Sequence, residues 1–260
     1  MKKTLIALAL AATAVSGSAM AWTPNGIGGT MEFGGTLTPA DVKNPWEVQV
    51  GPNTSLLNGS IKPGGNTVDI TLSQSVPLLG IRTVDSTAFF GAPGISPQID
   101  YKGAVGLDSF KAGNASLSLK VFKADDASVE LGVLSAELSA AAGFTWSEGA
   151  RTERANMKAS TAGDGFFGGL SKTDAGASAD SLALVRAINP AFVANYDMLG
   201  VTSVVSDAAY PTNFDSPTRK YSAFYGAGLK NGSKVAITLS KPMTENTNWK
   251  ASFPVTVSYQ

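Results

Sequence analysis

The sequence contains no cysteine and no histidine. A chain without these residues cannot form a disulfide, a thiol nucleophile or a Ser-His-Asp triad, and it has no thiolate or imidazole to hold zinc, haem or an iron–sulfur cluster. Charged residues make up only 15% of the chain, and its 20 basic residues are balanced by 20 acidic ones. Since nucleic-acid backbones are bound by clustered basic residues, we expect no nucleic-acid partner. We also expect no metal and no cofactor.

The first 21 residues have the pattern of a signal peptide. Lys2 and Lys3 precede a short apolar run from Leu5 to Val15, and Ala19-Met20-Ala21 places small residues at both positions of a cleavage site. The apolar run is shorter than the roughly 20 residues of a membrane-spanning helix. We therefore predict export and cleavage after Ala21, with an uncleaved membrane anchor as the alternative.

The remainder of the chain predicts an all-β fold. Short stretches of alternating apolar and polar residues recur between Gly, Pro, Asn and Asp, for example in residues 68–72, 115–121 and 235–239. Strands this short and this frequent are typical of a β-sandwich or a barrel.

Two details of this pattern make specific predictions. The dipeptide Asn231-Gly232 is a strong signal for a hairpin between the strands that flank it. In the stretch that begins at Val129, alternation predicts that Leu131 and Val133 share one face while Gly132 lies on the opposite face.

Helical signals interrupt the strand pattern between about residues 145 and 210. Asp180 is placed to cap one helix, and Asn189-Pro190 predicts the start of a second helix that continues to Leu199. Gly200 then stands where a left-handed helix stop is expected. We interpret this region as a partly helical insertion between strands of the sandwich.

A strand pattern also occurs near the N-terminus that cleavage would leave. Apolar residues and glycines occupy every second position, namely Ile27, Gly29, Met31, Phe33, Gly35 and Leu37. The two glycines leave room for a neighbouring backbone or a bulky side chain. This segment is either the first strand of the domain's own sheet or a strand supplied to another subunit.

The C-terminus repeats the alternation. Its apolar positions are Trp249, Ala251, Phe253, Val255, Val257 and Tyr259. Pro254 has no amide hydrogen, so this position must face an edge or a gap in the sheet. The segment either closes the domain's own sheet or borders an open edge, which a strand from a neighbouring subunit can fill.

Several segments of the chain resemble a known family. They are the leader MKKTLIALAL, the segment GGTMEFGGTLT, Leu78-Leu79-Gly80 with Arg82-Thr83, Ser96-Pro97-Gln98-Ile99 and the ending NWKASFPVTVSYQ. In these segments the sequence resembles the major-subunit adhesin family of chaperone–usher fimbriae, specifically the flexible fimbriae of enterotoxigenic enteric bacteria. Both ends and the first third resemble the family well, whereas the centre does so poorly apart from Phe167-Gly168-Gly169-Leu170-Ser171.

The resemblance implies an immunoglobulin-like β-sandwich that lacks its final strand. It divides the chain into a signal peptide (1–21), an N-terminal donor-strand extension (22–38) and a pilin domain (39–260) that contains the insertion. A periplasmic chaperone fills the groove first, and the extension of the next subunit replaces it at the outer-membrane usher, giving a homopolymeric fimbrium on the cell surface. One departure is that the segment from Thr244 to Asn248 lacks the glycine that many pilins carry there.

The resemblance assigns roles to both ends. On the donor strand, subunit contacts fall on Ile27, Gly29, Met31, Phe33, Gly35 and Leu37. On the C-terminal strand, chaperone pairing falls on Phe253, Val255, Val257 and Tyr259.

The resembled family often binds host glycans or glycoproteins through its central insertion. A sugar site needs an aromatic face and convergent polar groups, so the candidate side chains here are Trp146, Phe166, Phe167 and Tyr196. We expect a structural and adhesive subunit and no enzyme. The alternatives are a minor subunit of the same fimbria and, in a different class, an outer-membrane β-barrel protein.

Four Asn-X-Ser/Thr motifs match the glycosylation acceptor pattern, beginning at Asn53, Asn58, Asn114 and Asn231. Because the leader has a bacterial pattern, we interpret these motifs as turns.

Overall fold

The computed structural model of the protein describes residues 33–36, 43–54, 57–62 and 64–260. The chain divides into two compact units, residues 1–40 and 41–260. In the first unit only residues 33–36 are described, and they form no regular secondary structure.

The larger unit is almost entirely β-structure. Its strands are β1 (Trp46–Val50), β2 (Thr67–Thr71), β3 (Val76–Thr83), β4 (Phe89–Phe90), β5 (Pro97–Asp100), β6 (Val105–Lys111), β7 (Asn114–Lys123), β8 (Glu130–Glu148), β9 (Arg151–Met157), β10 (Ala209–Tyr210), β11 (Lys220–Leu229), β12 (Lys234–Leu239), β13 (Trp249–Ala251) and β14 (Thr256–Tyr259). An α-helix, α1 (Ser181–Ile188), and a 3-10 helix (Pro190–Val193) lie between β9 and β10. The prediction of an all-β sandwich with a small helical insertion is confirmed.

The 19-residue strand β8 organises the sandwich. Along one of its edges it pairs with β11 from Ser147 to Ser139 and then with β12 from Ala136 to Gly132. Along the other edge, in the same direction, it pairs first with β9 and then with β7. The partners of β8 therefore change on both edges near Ser139.

The prediction of a hairpin at Asn231-Gly232 is wrong, although a turn is present there. Gly232 has a left-handed φ of 78°, and the Ser233 amide donates to the Lys230 carbonyl at 3.1 Å. The flanking strands β11 and β12 do not pair with each other, because both follow the same edge of β8. The turn thus connects two strands that run in the same direction along successive stretches of β8, and the chain does not fold back on itself.

At the start of β8, Gly132 and Val133 lie on opposite faces as predicted, but the prediction that Leu131 and Val133 share a face is wrong, because Leu131 packs against the main core and Val133 does not. Gly132 is buried, whereas Val133 is 37% exposed. The pairing with β7 shifts between Val121 and Phe122, so one residue of β8 is left without a counterpart. A bulge of this kind turns the following side chains to the opposite face.

The cap of α1 is confirmed. The Ala183 amide donates to the Asp180 carboxylate at 2.9 Å, and the Ala191 amide donates to the Asn189 side chain at 3.0 Å. The second helix does not continue to Leu199 as predicted, because its 3-10 turn ends at Val193. Within the described ranges, no helix has the length and hydropathy needed to cross a bilayer.

The helical segment packs on the face of the sheet opposite the main core. A Cβ atom at Gly80 would lie 2.2 Å from the Phe192 ring, and one at Gly226 would lie 2.4 Å from Val185. These glycines therefore let the helices approach the sheet backbone. The contact forms a second, smaller core that includes Phe224.

Candidate functional site

The C-terminal segment has an uninterrupted two-residue burial pattern from Trp249 to Gln260. Its apolar residues are all half-buried, and the polar residues and Pro254 between them are all exposed. The apolar side chains, namely Trp249, Ala251, Phe253, Val255, Val257 and Tyr259, pack against the main core. The predicted alternation is confirmed, but no apolar residue of the segment is fully covered.

The segment pairs with two different strands. Strand β13 pairs with β7, and β14 pairs with β5 in a two-stranded sheet. Reciprocal hydrogen bonds between the backbones of Ser96 and Gln260, at 2.9 and 3.1 Å, extend the second pairing to the last residue. Pro254 lies between the two paired stretches, where its missing amide hydrogen removes no ladder bond.

Strand β14 is an edge strand. The other edge of β5 is occupied, because the Phe166 amide donates to the Pro97 carbonyl at 2.6 Å and the Ile99 amide donates to the Phe167 carbonyl at 2.8 Å. Within the described part of the chain, β14 pairs only with β5 and β13 pairs only with β7. No strand of the described residues pairs with the second edge of either strand, and an unpaired edge is a template for a further strand.

Buried aromatic residues pack against the inward side chains of this C-terminal segment. The rings of Phe253 and Tyr101 lie 5.2 Å apart. The Tyr101 hydroxyl is hydrogen-bonded to the Tyr225 hydroxyl, which donates to the Gly169 carbonyl at 3.1 Å. Burial raises the pKa of both tyrosines, so their hydroxyls stay neutral and continue to donate.

Strand β1 carries a second uncovered apolar surface. Val48 and Val50 lie opposite Ile81 and Leu79 of β3, and opposite residues of an antiparallel pair point to the same face. Ile81 and Leu79 are fully buried in the main core, whereas Val48 is 41% exposed and Val50 is 59% exposed. The core-facing side of β1 is thus exposed to solvent towards its C-terminal end.

The predicted donor positions fall mostly outside the described residues, since Ile27, Gly29, Met31 and Leu37 are not among them. Phe33 is 87% exposed. Among the described residues, no atom lies within 4 Å of the position that a Cβ atom at Gly35 would take.

The four candidate glycan-binding aromatics lie in different settings. Phe166 is fully buried, with its ring stacked on Tyr225 at 5.5 Å. Phe167 is half-buried against the main core. Trp146 is nearly buried, and the guanidinium groups of Arg151 and Arg219 lie 5.1 and 4.5 Å from its ring centre.

Tyr196 packs on the smaller core instead, with its ring 4.6 Å from that of Phe224. Its hydroxyl is hydrogen-bonded to the Thr145 hydroxyl at 2.6 Å, and burial raises its pKa. Glycan binding stays a prediction.

Two parts of the site were not predicted from the sequence. The contact of Phe253 with Tyr101 joins residues far apart in the chain, and no local signal marks it. The exposed face of β1 had a signal, because Trp46, Val48 and Val50 occupy alternate positions. Alternation alone does not tell whether such a face is covered.

Comparison with known proteins identifies relatives over the full length. Residues 1–260 match the family described as fimbrial, major and minor subunit. The chain is similar to K88 fimbrial protein AB of Escherichia coli, with 31% identity over 287 residues, and the alignment covers 100% of both chains. K88 fimbrial protein AC and F41 fimbrial protein, both from Escherichia coli, are each 30% identical over 286 residues, again with 100% of both chains covered.

Proposed function

The chain belongs to the family of fimbrial major and minor subunits, and from this premise we propose that its open C-terminal edge is completed by a strand from a neighbouring copy. The observation that supports the proposal most is the combination found at β14. Among the described residues, one backbone edge of this strand has no pairing partner, and its inward apolar residues are all half-buried. An added strand would satisfy the backbone and cover the side chains at the same time.

The N-terminal extension, residues 22–38, is the proposed donor. Its apolar positions, Ile27, Met31, Phe33 and Leu37, repeat every second or fourth residue as the inward face of a strand requires. The extension and the receiving edge lie at opposite ends of the chain. A contact between different surfaces of identical subunits is head-to-tail, and it grows a filament when it does not close into a ring.

A subunit with this edge exposed needs protection before assembly. Half-buried core residues beside an open strand edge form a template for aggregation. We therefore propose that a periplasmic chaperone pairs with the C-terminal strand, on the side of Phe253, Val255, Val257 and Tyr259, until a neighbouring subunit replaces it at an outer-membrane usher. Export through the periplasm follows from the predicted signal peptide. Adhesion to a host glycan is the further prediction for the assembled fimbria.

Deleting residues 27–37 tests the donor assignment. The truncated subunit is expected to accumulate as a complex with its chaperone and to form no fibres, as seen by electron microscopy of the cell surface. A matched control replaces the polar residues Thr30, Glu32 and Thr36 with serine, which leaves the apolar row intact. Ordinary fibres from the deletion would refute the assignment.

A minor role in the same fimbria is the alternative. Immunogold labelling distinguishes the two roles, because a major subunit labels the whole fibre length whereas a minor subunit labels a few positions.

A further inference from the structure

Two Asn-Gly dipeptides of the described chain, Asn58-Gly59 and Asn231-Gly232, lie in different surroundings. We propose that Asn58 is a site of spontaneous deamidation and isoaspartate formation, and that the fold protects Asn231 from the same reaction. Both dipeptides are followed by serine, so the residues that take part in the reaction and the residue after them are the same at the two sites.

The chemistry needs only the chain and solvent water. The deprotonated Gly amide nitrogen attacks the Asn side-chain carbonyl carbon, a C–N bond forms, and the side-chain amide leaves as ammonia. One water then opens the resulting succinimide at either carbonyl and gives aspartate or isoaspartate. The reaction requires a Gly amide that is free of other bonds and a backbone that can bring the nitrogen against the side chain.

The turn at Asn231 meets neither requirement. The Gly232 amide donates to the Leu72 carbonyl at 2.8 Å, and the Leu72 amide donates back to the Ser233 carbonyl at 2.9 Å. The Asn231 amide donates to the Ser75 hydroxyl at 3.1 Å. The attacking nitrogen is thus already bonded, and the backbone on both sides of it is fixed.

The surroundings of Asn58 are open. Asn58 and Gly59 are both exposed, and they lie in the irregular segment between β1 and β2. Among the described residues, neither the Asn58 side chain nor the Gly59 amide has a hydrogen-bond partner. Gly59 also has no side chain to obstruct the attack.

The product would disturb the packing of this segment. A Cβ atom at Gly59 would lie 2.7 Å from Val68 and 3.0 Å from Ile70, so the backbone here rests directly on β2. Leu57 and Ile61, on either side, are half-buried against the main core. Isoaspartate adds a methylene to the backbone, so we expect the packing of these two side chains to weaken, and deamidation also adds one negative charge.

The test measures both dipeptides in the same molecule. Purified wild-type protein is aged at neutral and at mildly alkaline pH, and proteolytic fragments are followed by mass spectrometry together with isoaspartyl methyltransferase labelling. A hydrogen bond of ordinary net strength to the attacking amide slows the reaction by roughly 2- to 12-fold, and the fixed turn adds to this factor. We expect Asn58 to convert faster than Asn231 by at least that factor, and faster at the higher pH.

Two variants separate the causes. Asn58→Ser removes the reactive amide, so the aged protein is expected to keep the melting temperature of fresh protein. Ser75→Ala removes one support of the other turn, and conversion at Asn231 is expected to rise. Equal conversion at the two dipeptides of the wild-type protein, or no conversion at Asn58, would overturn the proposal without any variant having to fold.

Discussion

Substituting Val257 tests whether the inward row of the C-terminal strand is covered during assembly. Val257 is half-buried and packs against the main core, opposite Ile99 of β5. An added strand would remove its remaining exposure. Val257→Thr keeps the shape of the side chain but places a hydroxyl where no partner is available, at a cost of about 1–3 kcal/mol. This cost corresponds to about a 5- to 150-fold loss in the equilibrium constant for strand addition.

A charge at the same position makes the test sharper. Val257→Asp would bury a carboxylate without a partner, and full burial raises a carboxyl pKa by up to about 3–5 units. Since a carboxyl whose pKa rises above 7 is protonated instead of buried as a charge, the opposition to assembly at pH 7 is limited to about 4 kcal/mol, at 1.36 kcal/mol per unit. The matched control is Ser258→Asp, since Ser258 is exposed and lies opposite the neutral Gln98.

The assay compares fibre yield by sedimentation and electron microscopy with the amount of chaperone-bound subunit. We expect Ser258→Asp to assemble like the wild type, Val257→Thr to assemble weakly, and Val257→Asp to form no fibres. Equal assembly of the Val257→Asp and Ser258→Asp proteins would refute the reasoning, because the two faces of the strand would then be equivalent.

Three further predictions concern the stability of the subunit. Gly226→Val places a side chain against Val185, so overpacking is expected to lower the free energy of unfolding by about 1–3 kcal/mol in denaturant titration. Tyr101→Phe removes the hydroxyl bonded to Tyr225 and is expected to cost about 0.5–1.5 kcal/mol; an unchanged unfolding midpoint would contradict that bond. A hydrogen bond from Lys158 lowers the pKa of Asp174 below its ordinary 3.8, so its contribution is present above that pH and is lost as the pH falls through the lowered pKa. Asp174→Asn should therefore destabilise the protein at neutral pH and match the wild type below both pKa values in thermal melts.

Local features of the fold could be predicted from the sequence. The alternation of the C-terminal segment needs only the two-residue period of a strand, and each cap of the helical segment needs only a side chain and amides within three residues of it. Pairing partners are not local. Asn231-Gly232 predicted a turn correctly, but no feature of the dipeptide indicates that both flanking strands follow β8.

The remaining errors have tertiary causes. The face of Val133 depends on a bulge against β7, which alternation within β8 cannot reveal. The second helix ends early, and Tyr196, beyond its end, is held by the hydroxyl of Thr145. The sequence marked the C-terminal strand as a strand, but only its one-sided pairing shows that its edge is free.

The most direct measurement uses the absence of native cysteine. One chain carries Ser258→Cys, and a second chain carries a single cysteine in place of Thr30, Glu32 or Thr36, tried in turn. The two chains are expressed together, and the fibres are oxidised. A disulfide requires Cβ atoms about 3.5–4.5 Å apart, so it forms only where the two strands lie side by side. We predict disulfide-linked heterodimers at one of these positions on a non-reducing gel. Absence of a disulfide-linked heterodimer at all three positions, together with a link formed inside a control chain that carries both cysteines, would contradict completion by a neighbour.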